Sequence, residues 1–295
     1  MFSVVIPLYN KAAYISGTIN SVLNQTVGEF EIIVVDDGST DKGPDIVRSF
    51  HDGRIRAVTQ QNGGVSSARN AGIVESKYEY VALLDADDCW APTFLEEISA
   101  MIDRYGTDMY ATNYSVRQNG RLSGHRYTGL RTSQSISKWY MSHMEPVFFT
   151  SSVVIRKKIF EKTGMFDIRI FHGEDTDLWI RLASSCDIAY SEKPLVVYNR
   201  TPNSLATRKI DRDRMKRHLL SYTDKYDLSR PEVRHCVSLC QLIHGLYYYL
   251  FVDGGIFETY ITRSRLWKFP LRFAIFYMIP RGCGRFLYRM YFNLK

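Results

Sequence analysis

The feature of this sequence that most constrains its fold is an alternation of strand-like and helix-like segments near the N-terminus. Short apolar runs, typical of buried strands, are separated by segments whose apolar residues recur at helical spacing. The pattern repeats four times in under 90 residues. It predicts an α/β fold with a Rossmann-like, mostly parallel sheet flanked by helices. The predicted strands span 3–9, 31–35, 55–58 and 80–84, and the predicted helices lie at about 15–23, 45–50 and 66–73.

Polar residues follow each of these predicted strands. In open α/β sheets, ligands bind beyond the carboxyl ends of the strands. Because those ends lie along one edge of the sheet, we expect the polar clusters to line a single crevice. The clusters are Tyr9-Asn10, Asp36-Asp37, Asn62-Gly63-Gly64 and Asp85 to Asp88.

Three carboxylates, Asp85, Asp87 and Asp88, end the apolar run of the fourth predicted strand. Like charges this close repel one another, so they persist best where a cation or hydrogen-bond donors compensate them. One interpretation is a hard divalent metal ion. The other is a helix-capping turn before Ala91-Pro92, since proline suits the first position of a helix. The cluster alone favours neither, but three other strand ends in the same crevice favour the metal.

The Gly-rich segment at 61–73 also has two interpretations. Its Asn62-Gly63 pair is typical of a hairpin turn, but the residues after it follow a helical pattern. The alternative is a loop that enters a helix and presents backbone N–H groups and Arg69 to a diphosphate. The sequence holds neither an ATPase-type phosphate loop nor a GxGxxG dinucleotide fingerprint.

Two acidic pairs admit both a structural and a functional interpretation. Asp36-Asp37 suits a turn and the cap of the next helix, or it accepts hydrogen bonds from a base N–H or a ribose hydroxyl. Glu174-Asp175 stands before an apolar helical segment, where acids favour the helix dipole. Alternatively, this pair supplies a general base beside a pocket.

Charge is distributed unevenly along the chain, whose net charge is +7. No acid follows Glu258, whereas residues 259–295 hold eight Lys or Arg among many aromatic residues. This asymmetry argues against a generally basic nucleic-acid binder and predicts that residues 260–295 contact an anionic membrane surface. Packing on the rest of the chain, an oligomer contact and an RNA surface are the alternatives for this region.

The cysteines and the hydropathy pattern bear on location. The five cysteines are odd in number and scattered, which predicts a reduced, cytoplasmic setting. The sequence shows no signal-peptide pattern and no run of 18 apolar residues. With the basic region, these observations predict a peripheral protein on the inner face of the cell membrane.

Together these motifs resemble the family 2 glycosyltransferases, which are inverting enzymes of GT-A fold and include bacterial polysaccharide enzymes. The resemblance implies transfer of a sugar from a nucleotide diphosphate, aided by Mn²⁺ or Mg²⁺, with inversion at the anomeric carbon. The motifs that carry it are SVVIPLYN at 3–10, VVDDGSTD at 34–41, NGGVSSARNAGI at 62–73, LDADD at 84–88 and GEDTDLWIRLA at 173–183.

The resemblance also implies the residues that bind the donor. Asp37 would read the uracil edge, Arg69 would face the nucleotide and diphosphate, and Asp85 would lie near the ribose. The full implied donor-binding set is Pro7, Tyr9, Asn10, Asp37, Arg69 and Asp85.

Metal and catalytic roles are implied in the same way. Asp87 would bind the metal ion, Asp175 would be the catalytic base and Glu174 its companion, while the share of Asp88 stays open. Many relatives carry a His soon after the segment matching 198–200, where this chain has Thr201-Pro202. The third protein ligand of the metal is therefore open, with Arg200 or Ser204 as candidates for touching the diphosphate.

The sequence thus predicts a metal-dependent glycosyltransferase that uses a UDP-sugar and a growing, lipid-linked surface glycan. A sugar nucleotidyltransferase and a non-catalytic nucleotide- or glycan-binding module are the alternatives. The predicted organisation is a nucleotide-sugar-binding half at 1–100, an acceptor-binding half at 101–210 and a helical, basic-aromatic C-terminal extension at 211–295.

Overall fold

The computed structural model describes residues 1–125, 130–200 and 222–240. Its strands are β1 (Phe2–Leu8), β2 (Phe30–Asp36), β3 (Ile55–Thr59), β4 (Tyr80–Leu83), β5 (Cys89–Trp90), β6 (Met109–Gln118), β7 (Arg121–His125), β8 (Val153–Arg156) and β9 (Ile188–Arg200). Its helices are α1 (Ile15–Leu23), α2 (Gly43–Arg48), α3 (Val65–Glu75), α4 (Phe94–Tyr105), α5 (Ser137–His143), α6 (Ile159–Thr163) and α7 (Glu174–Ala183). The four predicted strands and three predicted helices are confirmed.

The described strands form one sheet in the order β3-β2-β1-β4-β8-β6-β9-β5, with β7 paired to β6. The part built from β3, β2, β1 and β4 is entirely parallel. Beyond β4 the sheet is mixed, because β8 runs antiparallel to both β4 and β6, whereas β6 and β9 are parallel. The predicted parallel character therefore belongs to the N-terminal half.

The strand order reverses at β1, and this reversal positions the site. The chain passes from β1 outward to β2 and β3, then returns to place β4 on the other side of β1. In α/β sheets the crevice at such a switch point is where ligands bind. The segments that leave β1 and β4 therefore face each other across one opening.

Side chains alternate across β1 because successive residues of a strand point to opposite faces. Val4, Ile6 and Leu8 are fully buried on the face covered by α1 and α4. Val5 is fully buried on the other face, in the cluster that contains α7. There α3 packs closely, since a methyl group on Gly72 would lie only 2.2 Å from Val5 Cγ1.

The C-terminal part of the chain is described only at 222–240, where residues 231–240 are helical. Val233, Cys236 and Val237 from this helix are buried in the same cluster as α7. The basic-aromatic region at 260–295, and hence its predicted membrane contact, lies outside the described residues. Among the helices that are described, none combines the length and the apolar content needed to cross a bilayer. The predicted division into three regions stays a prediction.

Candidate active site

The candidate site begins at the switch point, where an ion pair joins the segments after β1 and β4. Lys11 Nζ pairs with Asp87 Oδ2, and both side chains are mostly buried at the rim of the crevice. Asp85 and Asp87 come directly after the buried run of β4, as the sequence predicts. The predicted convergence of strand ends is therefore confirmed for β1 and β4.

Arg69 links this strand-end cluster to the first turn of α7. Its Nη2 donates to Asp85 Oδ1 at 2.8 Å, and its Nη1 donates to Glu174 Oε1 at 3.1 Å. Asp85 belongs to the predicted nucleotide half and Glu174 to the predicted acceptor half. One guanidinium thus holds the two parts of the site together.

The Arg69 side chain is only 5% exposed, so its charge depends on these two partners. Its Nε has no hydrogen-bond acceptor among the described residues, and the guanidinium carbon lies 5.1 Å from the centroid of the Phe166 ring. Burial works against the charge, but Asp85 and Glu174 outweigh it and raise the pKa of Arg69 above its ordinary value. Removing one partner of a buried pair typically costs about 3–5 kcal/mol.

The implied role of Arg69 in facing the nucleotide and diphosphate stays a prediction, to which the structure adds two carboxylate partners. Its guanidinium points at carboxylates on both sides and has little exposure. It therefore acts on the crevice by orienting Asp85 and Glu174. The reason sequence analysis missed this is that the two partners lie 16 and 105 residues away along the chain.

Glu174 and Asp175 form the first turn of α7, as predicted. Burial and the neighbouring Asp175 charge raise the pKa of Glu174 to about 7, against the opposing effect of Arg69. Asp175 is half-buried, and its Oδ1 accepts from the backbone N–H of Thr176 at 2.6 Å. Within the described residues its Oδ2 has no donor, so this oxygen is available to an acceptor hydroxyl.

Sequence analysis also missed a buried charge cluster that fixes α7. Asp177 is fully buried, pairs with Arg181 at 2.7 Å and with Lys225 at 2.7 Å, and accepts from the Tyr226 hydroxyl. Lys225 also pairs with Asp167 at 2.8 Å. The segment at 222–240 thereby holds the helix that carries Glu174 and Asp175.

Asp88 is held by hydrogen bonds within the protein. It is fully buried, and its oxygens accept from Ser151 Oγ at 2.5 Å and the Asn199 N–H at 2.9 Å. Burial, together with the charges of Asp85 and Asp87, raises its pKa well above the ordinary range. Its contacts tie β9 to the loop after β4, and its share in metal binding stays open.

Asp37 is buried and holds the Gly-rich loop. Its Oδ1 accepts from Gln60 Nε2 at 2.7 Å and Gly63 N–H at 2.8 Å, and its Oδ2 accepts from Gly64 N–H at 2.9 Å. Gly64 has a φ of +88°, a value suited to glycine, and the loop continues into α3 rather than a hairpin. The predicted uracil contact of Asp37 stays a prediction.

The residues after β1 combine structural and exposed positions. Asn10 has a φ of +52°, which asparagine tolerates better than most residues, and its Oδ1 accepts from the Thr40 N–H at 2.8 Å. Pro7 is half-buried in β1 beyond the last pairing with β4, where its missing N–H breaks no bond to that strand. Tyr9 is 44% exposed, an aromatic ring open to a ligand at the strand end.

The carboxylates of Asp85 and Asp87 could supply part of a metal site. Asp85 and Asp87 face the crevice with side chains 28% and 12% exposed. The part of the chain that the structure describes contains no group of three His, Cys, Asp or Glu able to hold a metal ion alone. Because Mg²⁺-type ions often bind one or two carboxylates together with substrate phosphates, these residues fit an ion completed by a diphosphate. Thr201, Pro202 and Ser204 lie outside the described residues.

Comparison with known families decides which kind of protein carries this arrangement. The model described as "Glycosyl transferase family 2" matches residues 3–164, more than half of the chain. The chain belongs to this family. The matched range includes the strand-end cluster and Arg69, whereas α7 lies beyond it.

Individual family members are similar over a longer stretch. An uncharacterised glycosyltransferase of Rickettsia bellii (strain RML369-C) is 31% identical over 216 residues, covering 71% of this chain and 31% of the relative. The uncharacterised glycosyltransferase EpsJ of Bacillus subtilis (strain 168) is 26% identical, covering 70% and 62%. The chondroitin synthase of Pasteurella multocida (strain Pm70) is 28% identical, covering 68% and 20%. The chain spans less than two thirds of the length of each relative.

A solved structure supports the fold. The crystal structure of S. aureus TarS 1–349 in complex with UDP-GlcNAc superposes with a TM-score of 0.74 at 20% identity, covering 88% of this chain and 79% of TarS 1–349. This likeness confirms the predicted GT-A fold.

The raised pKa of Glu174 predicts a pH-dependent stability. The folded-state pKa of about 7 exceeds the ordinary value of 4.5, so between these pH values the folded state binds more protons than the unfolded state. The Glu174 contribution to the free energy of unfolding should therefore fall as pH rises through this window. Urea unfolding at pH 5 and pH 8 gives the free energy of unfolding of the unchanged chain and of Glu174→Gln. The value for the unchanged chain minus that for the variant should be a few kcal/mol lower at pH 8 than at pH 5.

The glutamine variant is its own control, because it keeps the shape and lacks the titration. A difference that stays flat or rises with pH would contradict this prediction. A rise would mean that Arg69 stabilises the carboxylate more than burial destabilises it.

Proposed function

We propose that this chain is an inverting glycosyltransferase that moves a sugar from a UDP-sugar to a hydroxyl of a growing, lipid-linked surface glycan. The observation that carries the proposal is the position of Arg69, which joins Asp85 beside the predicted donor site to Glu174 beside the predicted base. Family membership supports sugar transfer. A UDP-GlcNAc complex of TarS and the chondroitin synthase relative support the donor and acceptor classes.

The donor would lie across the carboxyl ends of β1, β2 and β4. Tyr9 offers an exposed ring at this edge, and the buried Asp37 holds the Gly-rich loop there. Asp87, with Asp85 beside it, would hold Mn²⁺ or Mg²⁺ together with the diphosphate. When bound, the ion would offset negative charge on the departing diphosphate. Asp88 takes no part in this binding because both its oxygens face protein donors.

The proton transfer falls to Asp175. The Thr176 N–H orients its carboxylate through Oδ1, which leaves Oδ2 to take the proton from the acceptor hydroxyl. The acceptor oxygen forms a bond to the anomeric carbon as the bond to the diphosphate oxygen breaks on the opposite face. That geometry inverts the anomeric centre and needs one base, with no second carboxylate acting as a nucleophile.

Glu174 and Arg69 position this base. Arg69 pairs with Glu174 and fixes the first turn of α7 against the donor-side Asp85. Asp177, in the same helix, binds Lys225 and Tyr226. Asp175 therefore extends from a helix held at two points. Such support is what a base needs to hold hydrogen-bonding geometry toward an acceptor.

Asp175→Asn tests the proposed base. The amide keeps the shape but accepts no proton, so sugar transfer should fall about 10²–10⁴-fold. Binding of UDP with Mn²⁺, measured by thermal stabilisation and calorimetry, should be nearly unchanged. Asp103→Asn, on the exposed face of α4, is the matched control and should leave both unchanged.

A screen of nucleotide sugars by Mn²⁺-dependent thermal stabilisation identifies the donor in the same assay. If Asp175→Asn kept full transfer, the base would lie elsewhere. If no nucleotide diphosphate bound in the presence of Mn²⁺, the proposed function would be wrong. If donor bound without any transfer or hydrolysis, a non-catalytic binding module would be favoured instead.

The proposed location is the inner face of the cell membrane, through residues 260–295. This segment contains eight cations and no acid, and its aromatic rings suit the headgroup level of a bilayer. Vesicles containing anionic lipid should retain the full chain in a flotation assay and release it at high salt. They should not retain a chain ending at residue 258, and equal retention of the two would contradict the proposal.

A further inference from the structure

Lys11 is a charged residue at the rim of the crevice to which the proposed mechanism gives no role. It follows Asn10 at the end of β1, and its carbonyl accepts from the N–H groups of Tyr14 and Ile15 at 2.9 and 3.0 Å. Its backbone is thereby fixed at the start of α1. Its ammonium pairs with Asp87 and lies 5.7 Å from the centroid of the Tyr14 ring.

This ion pair competes with the proposed role of Asp87 as a metal ligand. The ammonium contacts Asp87 Oδ2, on the carboxylate that would hold a divalent cation. An ammonium and a divalent ion at one carboxylate oxygen repel each other strongly, more so where the side chains are only 20% and 12% exposed. A divalent ion that binds through Oδ2 therefore displaces the ammonium from this oxygen.

The lysine stem makes such a move feasible. Lysine carries a compact charge on a flexible four-carbon stem, so its ammonium can change partner while the backbone stays in place. The diphosphate of a donor held at the carboxyl ends of β1 and β4 would bring new anionic oxygens to this position. The buried Arg69, by contrast, is held by carboxylates on two sides.

We propose that Lys11 is an internal counter-ion of Asp87, which leaves this carboxylate when a divalent cation binds and then pairs with the diphosphate of the donor. The inference rests on the proposed function and adds a coupling to it. Without nucleotide, Lys11 competes with the metal ion. With nucleotide, the displaced ammonium gains a partner, so nucleotide and metal ion strengthen each other's binding.

Lys11→Met tests the inference in the full chain, because methionine removes the charge and keeps much of the apolar stem. Electron paramagnetic resonance of Mn²⁺ would give Mn²⁺ affinity with and without UDP. Without UDP, the variant should bind Mn²⁺ at least about fivefold more tightly, because the lost ion pair is mostly buried and fivefold is the upper end for an exposed pair. The factor by which UDP raises Mn²⁺ affinity should shrink.

Two further variants separate this role from a general charge effect or a folding defect. Lys77→Met makes the same charge change near the opposite end of β4 and should leave Mn²⁺ binding unchanged. Lys11→Arg keeps a cation beside Asp87 and should keep the weak Mn²⁺ binding of the unchanged chain. If Lys11 had only a structural role, the arginine and methionine variants would both differ from the unchanged chain in Mn²⁺ affinity, and in the same direction.

Unchanged or weaker Mn²⁺ binding by Lys11→Met without UDP would overturn the inference, provided that the unchanged chain binds Mn²⁺ with UDP. If the unchanged chain bound no Mn²⁺ even with UDP, the metal-dependent function itself would be wrong. The two failures are therefore distinct.

Discussion

A single buried guanidinium is the interaction on which the geometry of this site depends. Arg69 extends from α3 in the parallel half of the sheet and reaches both Asp85 and Glu174. Removal of either carboxylate would leave much of a buried charge uncompensated, which is costly for a side chain that is only 5% exposed. The pairing therefore ties the position of α7 to the end of β4, and with it the proposed base to the proposed donor site.

The acids of this chain divide into those that build the crevice and those that face it. Asp37 holds the Gly-rich loop and Asp88 holds β9, each through donors within the protein. Asp85 and Asp87 retain exposure toward the opening. The division follows from hydrogen bonding, because a fully buried carboxylate is stable only when protein donors surround it. In the acid-rich motif at 84–88, Asp88 therefore differs from Asp85 and Asp87 in being enclosed by protein donors.

The parallel half of the fold was predictable because its strands are continuous apolar runs that end in polar clusters. The same logic placed Asp85 and Asp87 at the crevice. It could not place β5, which has two residues, or the antiparallel pairing of β8 with β4. The sequence pattern also did not predict contacts between distant residues, namely Arg69 with Glu174, Lys11 with Asp87, and Asp177 with Tyr226. Local pattern carries no information on such pairs, which only the folded sheet brings together.

A double-mutant cycle on the free energy of unfolding tests most directly whether Arg69 unites the two halves of the site. Asp85→Asn and Glu174→Gln are measured singly and together, in the unchanged background and with Arg69→Met. With Arg69 present, the double change should cost over about 1 kcal/mol more than the sum of the single changes, because the guanidinium loses both partners at once. With methionine there, this excess should vanish. Additive costs with Arg69 present, within about 0.5 kcal/mol, would contradict the account.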